Sequence, residues 1–309
     1  MHGLDRLPIV PSTIVVNDIR KSYGDVRAVD GVSFEVEEGE FFGILGPNGA
    51  GKTTILEIIE GLREPDGGEV TVLGESPWPR NPRLLPRMGV QLQASSFFER
   101  LTVREQIRTF ASLYGVPNRQ ADGMLEVVGL EDKAETRTEK LSGGQAQRLS
   151  IACALVHGPD LVFLDEPTSG LDPQARRNLW DVLRDINAKG RTVVLTTHHM
   201  DEAERLCDRV AIMDLGKILQ LGPPATLIRE LDAPTRISVE RGAVPVDEAR
   251  RLFDGADIAE DEVSLTIATR NPAAVLATLA ERNALHGLSV HGATLEDLFL
   301  NLTGREYRA

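Results

Sequence analysis

Apolar residues recur along this chain in several rhythms, and each rhythm predicts a different element. Between residues 12 and 36, "TIVVNDI" is short and apolar, and "VSFEV" alternates Val32, Phe34 and Val36 with polar neighbours, which predicts a small antiparallel sheet. "FFGIL" is an unbroken apolar run that ends at Gly46, and "KTTILEIIEGL" follows with helical spacing and a stop at Gly61. That order is strand, glycine loop, helix. Further on, "LVFL" and "TVVLTTH" have the look of buried strands. Between them, "DPQARRNLWDVLRDINAKG" reads as a helix with Asp172 as N-cap, Pro173 in its first turn and Gly190 as its stop. Buried strands alternating with helices predict a mostly parallel sheet covered on both faces.

The stretch between these strands has a different character. Residues 77–86 are proline-rich and irregular, and "RMGVQLQ" is a short strand candidate. Thr102 and Glu105 have the spacing of a capping box, so a helix should begin there. A second helix, "RQADGMLEVVGL", precedes the loop that carries "LSGGQ" at residues 141–145. Residues 94–157 therefore read as a helical insertion. After "GPPATLIRELDAP" the composition shifts: residues 235–309 mix the strand candidates "RISVE", "VSLTIA" and "LSV" with the helix candidates "VDEARRLF", "NPAAVLATLAERNA" and "TLEDLFLNLTG". This predicts a separate small α+β domain after a first domain over residues 1–228. No internal repeat is visible.

Composition narrows the function classes. With 309 residues, 41% hydrophobic and 26% charged, the chain can bury a sizeable core and a second, smaller one. Its longest apolar stretches, such as "LVFL" and "AAVLATLA", fall far short of the roughly 18 residues a membrane span needs, and the first residues lack the layout of a signal peptide. A cytoplasmic protein is expected. The two cysteines, Cys153 and Cys207, form no CxxC, so neither a disulfide framework nor a thiolate zinc site is implied. A formal net charge of −13 with scattered basic residues argues against a nucleic-acid face.

The chemistry is concentrated in a few short strings. "GPNGAGKT" (Gly46, Pro47, Asn48, Gly49, Ala50, Gly51, Lys52, Thr53), followed by Thr54, matches the P-loop pattern between its required strand and helix. There the backbone N–H groups close around phosphates, Lys52 reaches the β- and γ-phosphates, and Thr53 offers a hydroxyl to Mg²⁺. "LVFLDEP" brings Asp165 and Glu166 to the exit of a buried strand on the same sheet edge; Asp165 suits a Mg²⁺ shell and Glu166 the activation of a water. Many strands end in acids, so this pair gains meaning only beside the P-loop. His198 ends the next strand, within reach of a γ-phosphate. The pair His198 and His199 invites a zinc reading, which is set aside because strand neighbours point to opposite faces and no third ligand lies nearby. Gln91 and Gln93 share a face, so periodicity does not choose which amide would touch Mg²⁺ or water. Tyr23 can stack on an adenine or simply pack.

Ser142 is placed to cap "GQAQRLSIACALVHG", which makes residues 142–145 (Ser142, Gly143, Gly144, Gln145) a second anion site. One phosphate tail can occupy two such cradles only if the insertion folds back over its own P-loop. Otherwise "LSGGQ" serves the nucleotide of another subunit, which requires a dimer.

"GPNGAGKT", "LSGGQ", "LVFLDEPTSGLD" and "TTHHMDEAE", in this order, resemble the ATP-binding subunit of an ABC transporter over about residues 12–228. The resemblance implies an α/β P-loop NTPase fold with a parallel core sheet, an N-terminal antiparallel β subdomain and a helical insertion. It implies two subunits sandwiching two ATP molecules with Mg²⁺, each site pairing one chain's P-loop with the other's signature. Lys52 and Thr53 would hold phosphate and Mg²⁺, Gln93 would be the coupling glutamine and a Mg²⁺ contact, and Asp165 the magnesium aspartate. Glu166 would be the catalytic base, His198 the γ-phosphate sensor, and Asp172 a contact across the dimer. Ser142 and Gly144, with Gly143 and Gln145, would act on the partner's ATP. Tyr23 stands where this family stacks adenine. The intact half-sites favour a homodimer.

The tail "GATLEDLFLNLTGREYR" resembles the ending of ATPases of type 2 exporters, the drug-resistance and polysaccharide branch. That implies a separate integral membrane permease, no nucleic-acid partner, and a place on the cytoplasmic face of the membrane. The permease's coupling helix would be received near Phe97, Phe98 and "ERLT", unless the two phenylalanines only pack the core. An importer ATPase would read almost identically apart from its C-terminal domain. A soluble ABC ATPase acting on ribosomes or DNA would carry two ATP modules, coiled coils or basic surfaces, and a P-loop kinase or GTPase would leave "LSGGQ" unexplained.

Overall fold

The computed structural model describes residues 12–92 and 97–304. Gln93 and the tail beyond residue 304 lie outside them. Two long strands, β1 (Ser12–Tyr23) and β2 (Val26–Glu37), form an antiparallel hairpin that turns at Gly24, where φ is +57°. Val32, Phe34 and Val36 are buried on one face of β2, as their alternation requires. Then follow β3 (Phe41–Leu45), α1 (Lys52–Ile59) and β4 (Gly67–Val72). β4 pairs with the free edge of β1, giving a three-stranded sheet in the order β2-β1-β4. This third strand is absent from the sequence reading because it opens on two glycines. Gly68 is needed there: it has φ +85°, and a Cβ would stand 2.3 Å from the Asp18 carbonyl oxygen.

The chain continues through β5 (Met88–Gln91), α2 (Val103–Leu113), α3 (Asn118–Val127), α4 (Gly143–Leu155), β6 (Leu161–Asp165), α5 (Pro173–Ala188), β7 (Thr192–Thr197), α6 (Met200–Leu206), β8 (Arg209–Asp214) and β9 (Lys217–Gly222). Six strands form one sheet in the order β5-β6-β7-β3-β8-β9. All neighbours are parallel except β8 and β9. Every residue of β3, β6 and β7 is buried, which explains their unbroken apolar runs. Because β6, β7 and β3 are adjacent and parallel, the residues after their carboxyl ends emerge side by side. In open α/β sheets this is the edge where ligands bind.

The insertion has its own core, with Val103, Ile107, Leu125, Val128, Leu149 and Val156 buried together. Its first helix, α2, starts where the capping box predicts: Glu105 N–H donates to the Thr102 hydroxyl, and the Glu105 carboxylate accepts from Thr102 N–H.

The chain divides into two compact units between Pro224 and Ala225. The second contains most of α7 (Pro224–Glu230), then β10 (Thr235–Glu240), α8 (Val246–Leu252), β11 (Asp257–Glu260), β12 (Ser264–Thr269), α9 (Pro272–Glu281), β13 (Ser289–His291) and α10 (Leu295–Thr303). Its four strands form an antiparallel sheet, β11-β12-β10-β13. Ile237, Val239, Leu265 and Ile267 are buried from it in one core with Ala249 of α8 and Leu279 of α9. β11, which reads "DIAE", is too short and acidic to show as a strand in sequence. Among the described residues no helix is long and apolar enough to cross a membrane.

Candidate functional site

The P-loop leaves β3 at Gly46, and two of its glycines have no substitute. A Cβ on Gly46 would meet the Met213 carbonyl oxygen at 2.3 Å, and one on Gly51, at φ +102°, would meet that of Ala28 at 2.1 Å. Pro47, Asn48 and Gly49 form the outer bend, closed by Ala50 N–H donating to the Pro47 carbonyl at 3.1 Å. Gly51 is the N-cap of α1 and has no side chain to offer its first turn, whereas α2, α4, α5, α9 and α10 are each capped by a side-chain oxygen. The first N–H groups of α1, including those near Thr53 and Thr54, thus stand ready for an anion.

Lys52 is almost fully buried. Its Nζ donates to the carbonyls of Gly46 (2.9 Å) and Pro47 (3.2 Å) and lies 3.2 Å from Glu166 Oε1. The Thr53 hydroxyl stands 3.3 Å from both carboxylate oxygens of Asp165, the last residue of β6. Thr196, in the neighbouring β7, ties the two acids together: its hydroxyl donates to Asp165 and accepts from Glu166 N–H at 3.1 Å. Sequence reasoning missed Thr196. Its only signal was a hydroxyl inside an apolar strand.

Glu166 turns sharply out of the strand at φ +47°, a left-handed conformation that costs a non-glycine residue roughly 1–2 kcal/mol. The turn points its carboxylate at Lys52 on one side and at His198 Nδ1, 3.0 Å from Oε2, on the other. The two adjacent acids are driven apart electrostatically. Burial raises the pKa of Asp165, and the Thr196 and Thr53 hydroxyls offset this only in part. Burial also pushes Glu166 up, but Lys52 and then His198 outweigh it and hold the carboxyl below its ordinary value. Glu166 is therefore charged at neutral pH. Lys52, Thr53, Asp165, Glu166 and His198, drawn from three separate strings, stand together.

The histidine pair requires a correction. β7 ends at Thr197, so alternation along a strand does not apply to His198 and His199, and their ring centroids are 4.1 Å apart. Burial, then His198 and Arg176, push His199 down to about 4, so its ring is neutral. Tyr23 ends β1 with 43% of its surface exposed, and the Arg63 guanidinium sits 5.2 Å from its ring centroid, braced by Glu57 at 2.6 Å. Gln91 is buried in β5, with its Nε2 donating to the Leu92 carbonyl, and Gln93 lies outside the described residues.

At the second cradle, Ser142 and Gly143 are exposed. Ser142 and Gln145 complete a capping box at the start of α4: Gln145 N–H donates to Ser142 Oγ (3.4 Å), and Ser142 N–H to Gln145 Oε1 (3.1 Å). A Cβ on Gly144 would stand 3.2 Å from that of Ala175. Ala175 lies in the first turn of α5, whose N-cap, Asp172, accepts from Gln174 N–H and Ala175 N–H at 2.9 Å each. Among the described residues, no hydrogen bond of residues 142–145 reaches the P-loop.

The profile of the ABC transporter family matches residues 29–169. The chain is 42% identical to the Nod factor export ATP-binding protein I of Paraburkholderia xenovorans (strain LB400), over 96% of this chain and 98% of that protein. It is 40% identical to the protein of the same name from Rhizobium sp. (strain N33), over 93% and 96%. Among solved structures, the ATP-binding subunit of an ABC transporter aligns with a TM-score of 0.64 at 29% identity, covering 71% of this chain and 93% of its own. A dimeric, post-hydrolysis state of the ATP-binding cassette MJ0796 bound to ADP and Pi aligns with a TM-score of 0.61 at 28% identity, over 68% and 98%.

Proposed function

The chain belongs to the ABC transporter family of ATP-binding subunits, and from that premise we propose that it hydrolyses ATP at the edge formed by β3, β6 and β7, closing on a second subunit to drive a separate permease. The observation that supports this best is the Glu166 carboxylate, charged and strained, held between Lys52 and His198 beside the uncapped start of α1.

Each residue has a step. The first N–H groups of α1 and residues 46–54 bind the phosphates. Lys52 exchanges the Gly46 and Pro47 carbonyls and Glu166 for β- and γ-phosphate oxygens, which frees Glu166. Glu166 then accepts the proton of the water that attacks the γ-phosphorus, as ADP departs, and His198 holds the γ-phosphate. Thr53 and Asp165 present hydroxyl and carboxylate oxygens to a single point, a donor set that suits Mg²⁺. When bound, Mg²⁺ neutralises charge on the phosphates. Tyr23 stacks on the adenine, and Gln93 reports the state of the site to the insertion. Residues 142–145, of which Ser142 and Gly143 are exposed, make no hydrogen bond to their own P-loop among the described residues and serve the partner's ATP, with Asp172 beside them. Two identical chains complete each other.

The permease meets a groove of about 340 Å³ between the insertion and the core sheet, lined by Leu62, Val90, Phe97, Phe110, Tyr114 and His157. The two phenylalanines divide here: Phe97 packs against the insertion's core, and Phe98 is 54% exposed. On this reading the chain works on the cytoplasmic face of the membrane, with residues 235–309 as an accessory domain. The names of its relatives favour export over import, and the Nod factor in those names makes a comparable exported molecule the cargo to try first.

Light scattering of Glu166→Gln with saturating ATP and Mg²⁺, beside wild-type ATPase rates, tests this reading. The variant should bind ATP, stop hydrolysing it and form a dimer only when ATP is present. A Glu166→Gln chain that hydrolyses at the wild-type rate would remove Glu166 from its role.

A further inference from the structure

Tyr23 does not stand alone at the end of β1, and what holds it comes from the loop after α1, the helix that opens on the P-loop. The chain turns back at Gly61, and the Glu57 carbonyl accepts from Leu62 N–H at 2.9 Å and from Arg63 N–H at 3.2 Å. Asp66 fastens the same loop to β1. Its carboxylate accepts from Lys21 Nζ and from Ser22 N–H at 2.7 Å each, and its own N–H donates to the Arg20 carbonyl at 2.8 Å. Residues 61–66 thus join the end of the P-loop helix to the stretch of β1 that leads into Tyr23.

Arg63 is the residue this turn delivers to the ring. A long cationic side chain at a surface ordinarily leaves its head in water. The Arg63 guanidinium is instead held twice: its Nε donates to Glu57 Oε2 at 2.6 Å, and its Cζ lies over the Tyr23 ring, 5.2 Å from the centroid, where the negative face of the ring attracts a cation. The strand end that carries this ring is close to the phosphate cradle. Tyr23 pairs with Val26 of β2, and two residues further along β2 the Ala28 carbonyl oxygen packs so closely on Gly51 that a Cβ there would stand 2.1 Å from it. Two strand residues span about 7 Å. One nucleotide can bridge that distance.

We propose that Arg63 is a positioning residue for the base: seated on one face of Tyr23 and braced by Glu57 of the P-loop helix, it holds the ring so that the adenine stacks on the other face. This rests on the reading that Tyr23 stacks on adenine. One helix then governs both ends of the nucleotide, with Lys52 and Thr53 in its first turn for the phosphates and Glu57, through Arg63, for the base. Such a residue acts on a ligand that has a base and is indifferent to one that has only phosphates.

Calorimetric titration of the full chain tests it, with Mg²⁺ chelated so that no ATP is consumed, and with ATP compared against inorganic tripolyphosphate, which has the phosphates and no base. Arg63→Ala should weaken ATP about two- to fivefold, the range of one exposed cation–π pair, and leave tripolyphosphate unchanged. Arg63→Lys keeps the cation but not the planar fork that Glu57 grips, and should recover part of the loss. Glu57→Gln should weaken ATP in the same sense by a smaller factor. Tyr23→Ala, run alongside, should weaken ATP roughly tenfold and also spare tripolyphosphate. Wild-type ATP affinity in Arg63→Ala overturns the proposal. So does a loss shared equally by tripolyphosphate, which would mean a damaged P-loop rather than a misplaced ring. If Tyr23→Ala weakens ATP and Arg63→Ala does not, this inference alone falls; if Tyr23→Ala binds ATP like wild type, the adenine reading falls first and takes Arg63 with it.

Discussion

Glu60 shows how little a residue's own letter says about its state. It follows α1 as an ordinary acid in "IIEGL", yet it is 4% exposed and its Oε1 has no hydrogen-bond partner. Burial, then Asp165 and Glu57, push its pKa up to about 8. The folded chain therefore keeps a proton that the unfolded chain releases at an ordinary carboxylate pKa. Its contribution to stability is present in full below that ordinary value and is lost as pH rises to about 8. Melting curves from pH 5 to pH 9 should show wild type losing several degrees relative to Glu60→Gln, since about 1 kcal/mol moves Tm by roughly 2–4 °C at this size. Parallel curves for the two proteins would mean that Glu60 is charged in the fold. The contrast with Lys52, Thr53, Asp165, Glu166 and His198 is instructive. These five announce themselves because their chemistry is written in contiguous strings with fixed spacing. Glu60 and Thr196 matter through what packs against them from distant segments, and no local string records that.

At the scale of elements, helix starts read well and strand edges do not. Thr102 and Ser142 both sit three residues before their capping partners, and both boxes form. They also allow two roles to be separated. Replacing either by alanine should cost about 1 kcal/mol of stability through the lost cap, measurable by urea denaturation. Ser142→Ala should in addition weaken ATP-driven dimerisation in the Glu166→Gln background, whereas Thr102→Ala should leave it intact. Equal dimerisation in the two variants would reduce Ser142 to a cap. Three of the strands that escaped sequence reading share a physical reason: β4 begins with two glycines, β11 is four residues long and acidic, and β9 is an edge strand with a single buried residue, so none carries a strong burial pattern. β8 escaped too, although its run "RVAIMD" is buried from Val210 to Asp214. β3, β6 and β7 are buried on both faces and could not be disguised.

At the scale of the whole molecule, the composition changes after residue 234, whereas the chain divides into compact units earlier, between Pro224 and Ala225. The difference is α7, whose short apolar turn lies in a proline-flanked stretch that reads as a connection. Each unit buries its own apolar set: Phe42, Ile44, Phe163 and Val194 in the first, Ile237, Val239, Leu265, Ile267 and Leu279 in the second. The second unit, at about 80 residues, is of a size that many independently folding domains reach. All residues assigned to ATP lie before the boundary. A chain that stops at Pro224 should therefore bind a fluorescent ATP analogue within a few-fold of the full chain's affinity, and the segment from residue 225 onward should melt cooperatively by itself. If the shortened chain folds, as judged by its circular dichroism, yet no longer binds the analogue, the second unit contributes to the nucleotide site, and its role as an accessory domain must be abandoned. If it binds ATP but no longer forms the ATP-dependent dimer in the Glu166→Gln background, the second unit's work is subunit closure rather than catalysis.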